Sequence, residues 1–268
     1  MEIAKTVIDR HRTFPNAITL ATDSKDFTMA DGSIELPDSA KMLVVDGQHR
    51  LWAQHYSDVP CAYACIIHLQ KTEQQMAELF LEINDNQRRV PASLRWDLVR
   101  LVRPHGDEAG VMASELVLEL ATRKESPFFV AIDLTGERKD VIKQGSLAPE
   151  LKTLVSRVKR HLHGSPPNVD EFAMLLIRFF VGVRSLQPQT WGDPNLNPYY
   201  KARVLRALIR VLADLAVARR SLDHITADFS RRTLARINPD TLSQDRIRAS
   251  QGSAGVIDLY KAIKEQIE

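Results

Sequence analysis

The spacing of apolar residues changes once along the chain, from a mixed strand and helix pattern to a helical one. Short apolar runs and amphipathic segments alternate over the first 104 residues, which predicts a mixed α/β region. Asp31-Gly32 indicates a turn between two of the runs. The predicted strands are 17–20, 33–36, 41–45 and 61–69, and the predicted helices begin near residues 2, 50, 72 and 91.

The helix that begins near residue 72 has the clearest start and end signals. Thr72 and Gln75 form a T-x-x-Q capping box, and apolar side chains follow at helical spacing. A polar stretch, 84–89, is expected to end this helix, and Pro91 opens the next.

From about residue 105 helical periodicity dominates. One alternating run, 128–134, predicts a further strand, and 172–183 is apolar nearly all round, which is typical of a central buried helix. The sequence therefore predicts an α+β fold with a small mixed domain (1–104) and a mostly helical domain (105–268). The helices predicted in the second domain are 108–123, 147–163, 170–186, 200–220, 225–237 and 254–267.

Composition is that of a globular protein, with 44% hydrophobic residues, 26% charged residues and a net charge of +2. Residues 201–250 are locally basic, which indicates either a nucleic-acid surface or a solvated helical face. Arg203, Arg206 and Arg210 share one helix face there and are candidate DNA-backbone contacts. The nearby aromatic residues either stack on bases or pack against the loop; they are Trp191, Tyr199 and Tyr200.

The sequence favours a reduced, cytoplasmic protein. No apolar run approaches the roughly 20 residues that a membrane helix needs, and the amino terminus lacks a signal-peptide pattern. Cys61 and Cys65 fall on one predicted strand, about 13 Å apart at about 3.3 Å per residue, which is too far for a disulfide. His55 and His68 lack further ligands at zinc spacing, so no metal site is predicted there.

The richest stretch for chemistry is Asp46-Gly47-Gln48-His49-Arg50, which joins a predicted strand to a helix. Backbone amides at a helix amino terminus bind phosphate. A glycine lets the backbone approach an anion closely. The alternative is an ordinary turn with a surface Arg50 and a packed His49.

A second polar stretch, 83–91, is the other candidate. Asn84 and Gln87 could hydrogen-bond a polar ligand or a hydrated metal, and Arg88 could supply positive charge. The alternative is a polar helix end followed by the helix that Pro91 starts.

The paired stretches LVVDGQHRLWA (43–53) and LFLEINDNQRRV (79–90) closely resemble the DGQHR-domain family. FPNAITL (14–20) and ESPFFVAIDL (125–134) also resemble segments of that family. Its members include DndB-type and DpdB-type proteins of DNA-modification clusters, and it is more distantly similar to the ParB/sulfiredoxin-like fold. Relatives usually begin with strands before the helix predicted near residue 2, so the resemblance implies an amino-terminally shortened chain.

The resemblance implies a nucleoside triphosphate site, with ATP as the first candidate. It places Gly47, Gln48, His49 and Arg50 on the phosphates, joined by Asn84, Gln87 and Arg88 from the second stretch. If hydrolysis occurs, Arg50 and Arg88 would neutralise charge and Mg²⁺ would bridge the phosphates. Asp46 would hold that ion or brace Arg50, and Gln48 or Asn84 would orient water.

The leading hypothesis is a nucleotide-binding component, with ATPase activity left open, of a bacterial DNA-modification or phage-defence system. Its expected partners are DNA and other proteins of the cluster, and a homo-oligomer is compatible with the sequence. The alternative is a non-enzymatic DNA-binding transcriptional regulator. A ParB-like nuclease is a third hypothesis, which no clustered carboxylates support.

Overall fold

The computed structural model describes residues 16–56, 62–85, 91–136, 138, 142–162, 164–249 and 252–268. The chain divides into two units, 1–90 and 91–268, and its fold is α+β. Within the described ranges, no helix combines the length and the apolar character needed to cross a membrane. The helix predicted near residue 2 lies outside these ranges.

The first unit contains a three-stranded sheet in which β1 (Ile18–Ala21) lies between β4 (Leu43–Asp46) and β5 (Cys65–His68). β1 runs antiparallel to β4, with an irregular register between Thr19 and Leu20, and parallel to β5. The small described core includes Ile18 and Val45. The elements are β1 (Ile18–Ala21), β2 (Thr28–Ala30), β3 (Ser33–Glu35), β4 (Leu43–Asp46), α1 (Gln48–His55), β5 (Cys65–His68) and α2 (Glu73–Asp85).

Two local signals in this unit are confirmed. Asp31 and Gly32 join β2 to β3 with φ of 50° and 76°, the two positive values that tight hairpins favour. Thr72 and Gln75 form the predicted capping box. The Gln75 amide donates to the Thr72 hydroxyl at 3.3 Å, and the Thr72 amide donates to the Gln75 side chain at 3.0 Å.

The second unit is mainly helical. Its predicted helices are present, with ends that differ from the predicted ones by a few residues. A short parallel pair, β6 (Ile132–Asp133) and β7 (Ile142–Lys143), interrupts them. The helices are α3 (Ala92–Val102), α4 (Glu108–Thr122), α5 (Gln144–His161), α6 (Val169–Arg184), α7 (Ala202–Arg219), α8 (Ala227–Leu234), α9 (Gln244–Ala249) and α10 (Gly252–Ile267).

The core of this unit surrounds α6, whose central apolar character is confirmed. Phe172, Phe179 and Phe180 are buried there. Gly182 lies where α6 meets α8, and a Cβ at this position would come within 2.4 Å of the Ala227 carbonyl oxygen. A glycine is therefore needed for the close approach of the two helices.

The structure differs from the sequence-based prediction at several places. β2 and β7 were not predicted, and the strand predicted over 61–69 is Cys65–His68 within the described residues. Residues 127–131 form turns, so only Ile132–Asp133 of the predicted strand 128–134 is extended. The Ser126 hydroxyl accepts the Phe128 amide and starts a turn that buries Phe128 in the core. The division between the units also falls before α3, which packs on α4 and α5, whereas the sequence placed it after residue 104.

A buried carboxylate organises the loop that follows β6. Asp133 is only 3% exposed, and one of its oxygens accepts the Thr135 amide, the Thr135 hydroxyl and the Gly136 amide at 3.0–3.1 Å. The other oxygen accepts the Arg138 amide at 2.8 Å. Burial by itself raises the pKa of Asp133, but these bonds outweigh it and the net pKa is lowered.

Replacing this carboxylate with an amide, Asp133→Asn, removes acceptor capacity that the loop uses. We expect the free energy of unfolding at pH 7 to fall by about 1–3 kcal/mol. The pKa of Asp133 is lower in the folded protein than in the unfolded chain. Its ionised carboxylate therefore stabilises the native protein above the unfolded pKa of about 4, and this stabilisation is lost as the pH falls through the folded pKa. Urea denaturation at several pH values measures this. Asp258→Asn, on an exposed face, is the control. If the wild type and Asp133→Asn differ in stability by the same amount at every pH, the ionised Asp133 carboxylate is not the source of the stabilisation.

Candidate functional site

The turn between β4 and α1 depends on Gly47. This residue is the N-cap of α1 and has φ of 99° and ψ of 10°, in the left-handed region. A Cβ there would lie 3.1 Å from both the Ile18 side chain and the Arg50 guanidinium. Glycine is therefore required on two grounds, namely its backbone conformation and the space that surrounds it.

The amino end of α1 presents exposed polar residues. The amides of Arg50 and Leu51 donate to the Gly47 carbonyl, whereas those of Gln48 and His49 precede the first turn and have no acceptor within the helix. Gly47 provides no side-chain cap. Gln48 and His49 are both exposed, so this end of the helix can attract an anion.

Arg50 is held by the protein itself. Its guanidinium donates to Asp46 Oδ2 at 2.9 Å, to the Ala17 carbonyl at 3.2 Å and to the Asn16 carbonyl. The Arg50 side chain is only 14% exposed, and that of Asp46 is 23% exposed. Of the roles expected for Asp46, bracing Arg50 is the one that this geometry supports. Three of the five N–H donors of this guanidinium are engaged in these bonds and its charge is paired with a carboxylate, which weakens it as a phosphate ligand.

An open, shallow groove runs along α1 from Gln48. Its volume is about 350 Å³, and it is lined by side chains of β4 and of one face of α1. Trp52 is 54% exposed, and sequence reasoning missed it as a site residue. The spacing of four residues between Gln48 and Trp52 places both on one face of the helix, and this was the sequence signal that could have identified Trp52. The lining residues are Val44, Gln48, Leu51, Trp52 and His55.

The described residues suit a phosphate better than a protein-bound Mg²⁺. Asp46 is the carboxylate of this turn, and its Oδ2 is already paired with Arg50. Among the described residues no group of three or more metal-ligating side chains occurs. A Mg²⁺ ion would therefore arrive with nucleotide phosphates, as it commonly does.

The second polar stretch lies largely outside the described residues. Asn84 falls within α2, which ends at Asp85, and its side chain is not among those described. Gln87 and Arg88 lie in the range 86–90, outside the description. Whether this stretch joins the Gly47 turn stays a prediction.

The three arginines on α7 are engaged within the second unit. Arg206 and Arg210 both bind Glu150 of α5, with bonds of 2.7–3.1 Å, and Glu150 is only 3% exposed. Arg203 donates to the Ile247 carbonyl. The sequence left a solvated surface or a DNA contact as alternatives for this face. The geometry instead favours a structural role that joins α5 to α7.

The aromatic residues near this face pack in the core. Trp191 contacts Tyr200 edge-on at 5.0 Å and Phe128 at 5.6 Å, and its indole donates to the Pro127 carbonyl at 2.9 Å. Tyr199 and Tyr200 are buried. Of the two sequence-based alternatives, packing against the loop is the one confirmed.

A second charged cluster surrounds Asp214 of α7. Tyr260, Lys264 and Arg157 all donate to its carboxylate. Burial by itself raises the pKa of Asp214, but the Tyr260 and Arg157 bonds outweigh it and the net pKa is lowered. The pKa of Tyr260 is raised by burial and by this carboxylate. Contacts within the cluster contribute to both pKa shifts, and the cations there pair with the Asp214 carboxylate. Ion-pair networks with a structural role commonly show such shifts.

Comparisons of the chain with protein-family models, with curated proteins and with solved structures find no match. The geometry of the turn and groove is therefore the main support for a functional assignment.

The Arg50 clamp can be tested by Arg50→Ala. Loss of charged donors to Asp46 and two carbonyls should lower the free energy of unfolding of the first unit by about 2–3 kcal/mol. Faster hydrogen exchange in β1 and β4 would locate the loss. Lys25→Ala, at an exposed position of the same unit, should change stability little. Unchanged stability together with lost ligand binding would instead place Arg50 on the ligand.

The α7 arginines make a separate prediction. Arg206→Ala should destabilise the second unit by about 1–3 kcal/mol in urea denaturation, because the largely buried Glu150 then loses one of its two partners. Arg236→Ala, at an exposed position, should stay within about 0.5 kcal/mol. Should Arg206→Ala weaken DNA binding while leaving stability unchanged, the DNA-contact interpretation would replace the structural one.

Proposed function

We propose that the first unit binds a nucleoside triphosphate, with its phosphates at the amino end of α1. The observation that carries this proposal is the Gly47 turn, which leaves the amides of Gln48 and His49 without acceptors in the helix and without a side-chain cap. Backbone amides and the helix dipole favour phosphate there. The adjoining groove has the size of a small-ligand site, for which about 300–1,000 Å³ is typical.

The resemblance of residues 43–53 and 79–90 to the DGQHR-domain family supports the same assignment. On that basis the protein is proposed to act in the cytoplasm, with DNA and cluster proteins, in a DNA-modification or phage-defence system. ATP remains the first candidate nucleotide, with Mg²⁺ bound to its phosphates.

Binding is better supported than hydrolysis. Rapid phosphoryl transfer needs cations on the phosphates and a positioned nucleophile. Arg50, the cation of this turn, is bound to Asp46 and to two carbonyls. Of the proposed catalytic set, Gln48 is the exposed polar residue at the helix end and could position water or ligand. ATPase activity accordingly remains an open part of the proposal.

The DNA-binding regulator is the alternative function. The resemblance to DndB-type members suggested it. The basic residues 201–250 offered a DNA surface, but Arg206 and Arg210 share the carboxylate of Glu150 and Arg203 binds a carbonyl. Tight promoter binding that is indifferent to nucleotide would nevertheless favour this alternative.

The substitution Gln48→Glu tests the phosphate position with almost no change of shape. A carboxylate at the first helical position stabilises the helix by about 0.3–1 kcal/mol, so the melting temperature without ligand should stay level or rise. The same charge repels phosphate by about 1–4 kcal/mol at contact distance. We therefore expect at least about a fivefold loss of ATP affinity, measured by calorimetry with Mg²⁺ present.

The matched control is Gln189→Glu, which adds the same charge at an exposed position of the second unit. It should leave ATP affinity unchanged. A thermal-shift screen of ATP, GTP and CTP with Mg²⁺ comes first, because a ligand that binds only the native state raises the melting temperature. If the wild type and Gln48→Glu bind ATP with equal affinity, the phosphates do not lie at this helix end.

A further inference from the structure

Three rings form a cluster at the end of α1, and they contact one another on the surface. Trp52 lies nearly parallel to Tyr56, with centroids 6.3 Å apart and planes inclined by 23°. His55 meets Trp52 edge-on at 5.8 Å and Tyr56 at 5.1 Å. Trp52 and Tyr56 remain 54% and 52% exposed, so a large aromatic surface is already oriented while it still faces solvent.

Two of the three rings, those of Trp52 and His55, line the groove that begins at Gln48. Gln48, Trp52 and His55 line it together, with Val44 and Leu51 as its apolar floor. Gln48 and Trp52 are four residues apart on one helical face, a separation of about 6 Å at 1.5 Å per residue. A ligand of nucleotide size can therefore reach from the helix end to the indole.

The chemistry of the lining selects one occupant. The groove has an aromatic wall, an amide at Gln48 and an imidazole at His55, and no carboxylate is among its lining residues. Planar heteroaromatic bases stack on such rings and accept or donate hydrogen bonds at their edges. The lack of acidic residues suits a ligand that carries phosphates.

A protein partner fits the groove less well. A stable protein interface needs about 20–30 residues on each partner, whereas five residues of one helix and one strand line this groove. Its volume of about 350 Å³ lies within the range of small-ligand sites.

We infer that the α1 groove is a nucleobase subsite in which the base of the bound nucleotide stacks on Trp52. This inference rests on the proposed function, which places the phosphates of the ligand at the amino end of α1. It adds a position for the base of the same ligand. Stacking tolerates different bases because each has a π face. The subsite therefore supplies affinity, while His55, beside Trp52 in the groove, is the side chain able to distinguish base edges.

The test uses the full chain and compares ligands with and without a base. ATP, GTP, CTP and UTP with Mg²⁺ are titrated beside inorganic tripolyphosphate and adenosine. Trp52→Leu should weaken nucleotide binding about tenfold, from the 1–3 kcal/mol typical of base stacking on an aromatic residue, and leave tripolyphosphate binding unchanged. Trp52→Phe should restore most of the nucleotide affinity.

Fluorescence gives a signature that a purely structural role would not produce. The other two tryptophans, Trp96 and Trp191, pack against the core of the second unit. Nucleotide should therefore quench the emission of the wild type, and the quenching should vanish in Trp52→Phe although binding persists. Ile66→Ala, which removes a side chain of the same 54% exposure from β5, is the control and should bind nucleotide normally.

The outcomes separate this inference from the function on which it rests. If the nucleotides and tripolyphosphate bind equally well and Trp52→Leu changes nothing, the base subsite is overturned and the phosphate site stands. Adenosine binding that depends on Trp52, without tripolyphosphate binding, supports the subsite and contradicts the phosphate position. Failure of every ligand to bind the wild type overturns both.

Discussion

The ion pair between Arg50 and Asp46 determines how the first unit is built. The two residues lie on opposite sides of Gly47, and the same guanidinium also binds the carbonyls of Asn16 and Ala17, which precede β1. One side chain thus ties the start of β1 to the turn that ends β4. Because the groove begins at the first residue of α1, its position depends on this clamp and on the left-handed glycine.

The clamp also changes what the motif can do. An arginine beside an uncapped helix end suggests a phosphate clamp, but a guanidinium with three partners on its own chain is a poor donor to a ligand. Glu150 shows the same relation in the second unit, where it binds Arg206 and Arg210. In both places, cations that look available in the sequence are used to join elements. The proposed ligand site therefore relies on amides and rings.

The sequence predicted most of the helices, because their signals are local, but it did not predict β2 or β7. Helical spacing predicted α4 to α8 and α10 to within a few residues, and the Thr72 capping box and the Asp31-Gly32 turn have the expected bonds and angles. The alternation at 128–134 was misleading, since a Ser126 turn buries Phe128 in the core instead of in a strand.

The partners of Arg206 could not be predicted, because Glu150 lies 56 residues away and spacing on one helix contains no information about such pairs. Trp52 was missed for a related reason: its exposure depends on which face of α1 packs on the sheet.

A phosphate site built from amides has consequences for the kind of ligand that it can hold. Each cationic contact with a nucleic-acid backbone adds affinity that is indifferent to the rest of the ligand and sensitive to salt. A helix end with an aromatic groove beside it depends instead on ligand shape, since the amides fix one phosphate and the ring accepts one planar group. Such a site favours a free nucleotide over a DNA backbone, which offers many phosphates but keeps its bases stacked within the duplex. The geometry of the proposed site therefore suits a small molecule better than a DNA backbone.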